Sequence, residues 1–193
     1  MVKPGSSAIA FELSFPHNYD IHECPELPGS GPFNAPVCYF PKLGSRPEHD
    51  GVWIEICPSG GSPWLGVFGF SGLMTPGFSR VLSTPDPSRV CVISGGGGYF
   101  VKADNPAEWS QIPWLPITEA RAVPERSFLL LANLSNLAAW DARGEIWRTH
   151  FRFDGLRITK MGSEVIEGYG YDPAEAADVP FSVNMRTGSH RPS

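Results

Sequence analysis

The sequence predicts an all-β protein of predominantly antiparallel sheets, a sandwich or partial propeller-like arrangement, with little helix and a long Pro-rich N-terminal loop. Three observations carry this reading. Gly 21 and Pro 20 together make up about a fifth of the chain, a proportion that favours many tight turns over long helices. Aromatic residues reach 12%, and they suit pleated, half-buried surfaces. About twelve short apolar or alternating segments recur at spacings of roughly 8 to 12 residues, the pattern of sandwiches, barrels and stacked antiparallel sheets and not of βαβ units. The length of 193 residues fits a single β domain over 1–193.

Taken in order, the first strand is expected over Ala8 to Phe15, where Ile9, Phe11, Leu13 and Phe15 alternate with smaller or polar residues. Residues 16–50 read as a proline-stiffened loop containing Pro25, Pro28, Pro32, Pro36, Pro41 and Pro47, with only Val37 to Phe40 extended. A loop of that length inside a domain is usually either functional or disordered. Val52 to Cys57 and Trp64 to Phe70 follow as a hairpin around Pro58-Ser59-Gly60-Gly61-Ser62-Pro63. Strands are then expected at Arg80 to Ser83, Arg89 to Ser94 and Tyr99 to Lys102, the last entered through Gly95-Gly96-Gly97-Gly98. Ala107 to Leu115 reads as a short helical turn stopped by Pro116. Ser127 to Ala132, Leu137 to Trp140, Glu145 to Thr149, Leu156 to Met161, Val165 to Tyr171 and Val179 to Met185 form a meander, and 187–193 a frayed tail. The expected core comprises Phe11, Leu13, Trp53, Ile54, Val67, Val90, Val92, Leu129, Leu131, Trp140, Ile146, Trp147, Ile158 and Phe181.

A formal charge of -5 gives no electrostatic reason to seek phosphate backbones or anionic lipid, so neither nucleic acid nor membrane is expected as a partner. No apolar run is long enough to span a bilayer, and Met1-Val2-Lys3-Pro4-Gly5 lacks the pattern of an export signal; a cytoplasmic location is expected. Cys24, Cys38, Cys57 and Cys91 contain no CxxC pair and read as reduced thiols, with Cys57 and Cys91 buried in strands.

The chemical motifs are sparse. Gly95 to Gly98 lacks the Lys-Ser/Thr of a P-loop and the helix of a dinucleotide fingerprint, so it reads as a hairpin turn. Gly69-Phe70-Ser71-Gly72 lacks the spacing of a nucleophile elbow. His17, Asp20, His22 and Cys24 offer zinc-type donors, but their spacing matches no standard module and they read as a polar surface loop. No metal, cofactor or catalytic set is therefore expected. Asp141, Glu145 and His150, or Glu164 and Glu167, are the acid–base candidates, and ordinary solvated charge is the simpler account of them. The binding candidates are Trp109 and Trp114, read as a platform exposed between prolines, and the basic stripe Arg148, His150 and Arg152.

Leu137-Ala-Ala-Trp140-Asp-Ala-Arg-Gly144-Glu-Ile-Trp147-Arg148 resembles one hairpin of a quinoprotein-type β-propeller blade, although no period of about 40 residues repeats it. Trp147-Arg148, Phe153-Asp154-Gly155-Leu156-Arg157-Ile158, Glu167-Gly168, Tyr171-Asp172, Phe181-Ser182-Val183 and Thr187-Gly188, with the earlier Cys91 to Tyr99, resemble a family of small uncharacterised bacterial all-β proteins. That resemblance implies the fold and no activity. The functional expectation is a non-catalytic protein-binding module, such as a bacterial immunity or accessory protein, with another protein as partner. The rival is a carbohydrate- or small-molecule-binding protein or enzyme with a loop-built site. The oligomeric state is left open.

Overall fold

A computed structural model describes residues 9–24, 35–41, 50–71 and 77–191. Its strands are β1 (Ala10–Glu12), β2 (Tyr19–Glu23), β3 (Val37–Phe40), β4 (Gly51–Pro58), β5 (Trp64–Gly69), β6 (Arg80–Ser83), β7 (Arg89–Ser94), β8 (Gly97–Lys102) and β9 (Trp109–Gln111). After them come β10 (Glu119–Val123), β11 (Phe128–Ala132), β12 (Asn136–Asp141), β13 (Gly144–His150), β14 (Asp154–Met161), β15 (Val165–Asp172), β16 (Ala177–Asn184) and β17 (His190–Arg191). A 3-10 turn, Pro124–Arg126, joins β10 to β11. No helix among the described residues is long and apolar enough to cross a membrane.

The strands form four sheets, in the orders β2-β4-β5-β3, β1-β6-β7-β8-β9, β10-β11-β12-β13 and β14-β15-β16-β17. Only β1 with β6 and β3 with β5 pair in parallel among them. None closes into a barrel, so the architecture is all-β and predominantly antiparallel, as the sequence predicts. The sheets lie face against face in the order given, with β1 joining the second sheet ahead of the first, and side-chain alternation shows why. In β7, Val90 and Val92 pack towards the first sheet with Ile54, Ile56 and Phe68, whereas Cys91 and Ile93 pack towards the third with Leu129 and Leu131. In β11, Leu129 and Leu131 take that near side while Phe128, Leu130 and Ala132 face the fourth sheet with Phe153, Ile158 and Phe181. Both strands are buried at nearly every position, which accounts for their unbroken apolar sequences.

The seam between the second and third sheets is also polar. Arg80 on β6 is paired with Glu12 on β1 at 3.1 Å. Its guanidinium donates to the Ala120 carbonyl at 2.8 Å, and the other Glu12 oxygen accepts from the Ala122 N–H at 3.0 Å. Side chains thereby occupy backbone groups on the edge of β10 that a foreign strand would otherwise seek.

Several expectations need correction. Only Ala10 to Glu12 of the first expected strand pairs, and Phe11 is 37% exposed. Most of the proline-rich segment lies outside the described residues, but β2 forms within it, with Tyr19 buried and its hydroxyl donating to the Arg89 carbonyl at 2.7 Å. Trp109 lies on a strand rather than a helical turn. Ile146 is 47% exposed, because a register shift between Ala139 and Trp140 leaves it as the extra residue of a β-bulge. Leu13 and Trp140 are half-buried. The expected tail is not frayed through Arg191: β17 pairs with β16, Asn184 Oδ1 accepts the Arg186 and Thr187 amides, and the Trp147 indole donates to the Met185 carbonyl at 3.0 Å. Residues 192–193 lie outside the described ones.

The fourth sheet inverts a usual pattern. Along β15, Gly168 and Gly170 point inward while Tyr169 and Tyr171 point outward. The inward positions are small because Phe181, directly across from Gly168, and Phe153 lie over them; a Cβ on Gly170 would come within 2.0 Å of the Phe153 ring. Phe151, Phe153 and Phe181 form one aromatic cluster, with centroids of Phe151 and Phe153 at 4.9 Å. Replacing Gly170 by Ala is therefore expected to lower stability by about 1–3 kcal/mol or more through overpacking, read as a fall in the urea midpoint at constant slope.

Candidate functional site

The residues singled out in the sequence do not assemble into one site. Trp109 is half-buried between the first and second sheets, edge-on to Phe40 at 5.5 Å and tilted on Tyr99 at 6.5 Å. Trp114, in the connection from the second to the third sheet, is only 9% exposed and belongs to the core between them. The exposed tryptophan platform expected at Trp109 and Trp114 is thus not formed. Both rings are drawn inward by the apolar seams they bridge.

Arg148 on β13 does meet Trp114, its guanidinium lying 5.6 Å from the ring centroid, and it also pairs with Glu145 at 2.5 Å. His150 is exposed, with Nδ1 3.1 Å from Asn136 Oδ1. Arg152 reaches Asp172 at 3.3 Å and Glu175 at 3.5 Å. The arginines of the basic stripe therefore carry their own carboxylates, and the stripe has little net charge to offer a partner.

The chemical candidates are similarly occupied. Asp141 Oδ1 accepts the amides of Arg143 and Gly144 and so holds the β12–β13 turn. Glu164 pairs with Arg126 and Glu167 with Lys160. The Gly95 amide donates to Ser79 and the Gly96 amide to the Phe78 carbonyl, which removes them as an anion cradle. Among the described residues no three His, Cys, Asp or Glu side chains converge as a metal site. Asp20 and His22 are exposed on β2, while Cys24 packs with Trp53. Cys24, Cys38, Cys57 and Cys91 form no disulfide; Cys91 is fully buried, whereas Cys57 is only partly so. Desolvation pushes the thiols of Cys24, Cys57 and Cys91 up, opposite to the activation of a nucleophilic thiolate.

The outer face of the fourth sheet is different in kind. Tyr169 and Tyr171 are 48% and 46% exposed. Across the register Tyr169 lies between Arg157 and Pro180, and Tyr171 between Asp154 and Asp178. Hollows of about 220 and 320 Å³ flank Tyr169, the first lined by Arg157, Thr159 and Asp178, the second by Lys160, Glu167 and Pro180. Two aromatic rings with hydroxyl tips thus occupy the middle of a sheet face whose surround is polar and of both signs. Sequence reasoning missed them, although the Gly-Tyr-Gly-Tyr alternation carries the signal: one face of the strand must be small, and the large residues must then be outside.

No protein-family model, curated protein or solved structure matches this chain.

The placements of Trp114 and His150 separate core from surface. Trp114→Ala is expected to cost about 3–5 kcal/mol as a core truncation, and His150→Ala to stay within about 0.5 kcal/mol of the parent, both measured by chemical denaturation.

Proposed function

We propose that the chain is a non-catalytic protein-binding module, of the accessory or immunity type, that receives its partner on the outer face of the fourth sheet. The observation that carries this reading is the pair of half-exposed tyrosines on β15. Folding does not require them there, because the core beneath is filled by Phe153 and Phe181 over the inward glycines. Tyrosine is suited to such a place: it has a rigid apolar body, a polar tip and few rotatable bonds to immobilise. Arg157, Asp178 and the Lys160–Glu167 pair supply a charged rim around an aromatic centre, the arrangement common in protein interfaces.

The size of the face limits the affinity. Three strands of eight residues at a spacing of about 4.8 Å and a rise of about 3.4 Å cover roughly 400 Å². That is about half the contribution of one partner to an interface of standard size. A tight complex would need contacts beyond the sheet, whereas the sheet face alone suits a transient one.

Immobilised wild-type protein is expected to retain a discrete protein from lysate of the source cell. A Tyr169→Ser/Tyr171→Ser double variant should hold that protein at least about 30-fold more weakly, while its melting temperature stays close to that of the parent. Retention undiminished by the double variant, or no specific retention by the wild type, would overturn the proposal.

A further inference from the structure

A cleft of about 250 Å³ opens between the second and third sheets, where the β6–β7 turn faces the β12–β13 turn. Its apolar wall includes Phe100 on β8 and Trp140 on β12, whose ring centroids are 5.3 Å apart. Leu129 and Ala138, on the same face of the third sheet as Trp140, are fully buried, whereas Trp140 is half-buried and forms part of the cleft wall. Asp86 and Arg89 line one side, Asp141 and Arg143 the other.

These four charged groups determine what the cleft could select. Arg89 Nε lies 3.4 Å from an oxygen of Asp86, and Asp141 is fixed by the two turn amides it accepts at 2.7 and 3.2 Å. Arg143 has no carboxylate partner among the described residues. Two guanidiniums and two carboxylates sum to zero, so the lining favours neither an anion nor a cation. It does offer fixed carboxylate acceptors and the Arg143 guanidinium as donor beside an aromatic surface, which matches a neutral ligand with several hydroxyl groups and an apolar C–H face. The volume is below the roughly 300–1,000 Å³ of pockets for drug-sized ligands, which limits the occupant to about one ring.

We propose that this cleft binds a single neutral sugar ring, with its C–H face against Trp140 and its hydroxyls shared among Asp86, Asp141 and Arg143. The site is separate from the tyrosine face and does not depend on it.

Saturation-transfer difference NMR on the full chain tests this with glucose, galactose, mannose and N-acetylglucosamine, each at about 10 mM to populate a site of millimolar affinity. At least one of them is expected to bind. Trp140→Ala should abolish the transfer, and Arg143→Ala, on an exposed turn, should weaken binding about tenfold with the melting temperature unchanged. The Tyr169→Ser/Tyr171→Ser variant should bind like the parent. The absence of transfer from all four sugars, binding unchanged in Arg143→Ala, or binding lost in the tyrosine variant would each overturn the assignment. Arg143→Ala keeps the test decisive if Trp140→Ala does not fold.

Discussion

A strand that is apolar on both faces persists in water only if a layer covers each side, and β7 and β11 impose that condition on this chain. Val90-Cys-Val-Ile93 and Phe128-Leu-Leu-Leu-Ala132 have no polar face to turn outward. Burying one such side chain is worth about 1.5–3 kcal/mol, so leaving either side bare would forfeit several of these contributions at once. The first and third sheets cover β7, and the second and fourth cover β11. Apart from β1, which joins the second sheet before the chain builds the first, consecutive sheets are neighbours and the layers follow one another along the chain.

A stack of this kind must end, and the fourth sheet provides one end. β15 alternates buried and exposed residues from Ile166 to Asp172, and β14 does so from Leu156 to Thr159, as expected of a sheet with one solvated face. The inward side is completed by phenylalanines lying over glycines, which leaves the outward tyrosines unused by the core. The same layering creates the second feature of interest. Where turns from the second and third sheets diverge beyond the buried Leu129, a half-buried tryptophan and four balanced charges are left around a small cleft. Edges are handled separately, as Glu12 and Arg80 show by satisfying backbone groups of β10 with side chains.

Much of the fold was legible in the sequence because binary pattern and turn chemistry agree over long stretches. The hairpins of the third and fourth sheets fall close to where the alternation of apolar and polar residues puts them. β10 was missed because Glu119-Ala-Arg-Ala-Val123 has weak strand propensity and gains its place only by pairing with β11. β2 was hidden by surrounding prolines, and Ile146 was misplaced because a bulge shifts the alternation that the pattern assumes. The functional surfaces were less legible. Whether an arginine is free or already paired, and whether a tryptophan bridges two sheets or faces solvent, depends on contacts between residues distant in sequence. Arg152 with Asp172 and Trp114 beneath Arg148 are examples.

Native-state amide hydrogen exchange tests the layered account most directly, because two-sided burial should make the central strands the last to open. Amides of Val90 to Ile93 and Leu129 to Leu131 are expected to exchange only through global unfolding, with protection that follows denaturant at the full unfolding slope. Amides of β14 and β16 should open earlier through local fluctuations. Equal or greater protection in the fourth sheet than in β7 and β11 would contradict the claim that the doubly covered strands hold the stack together.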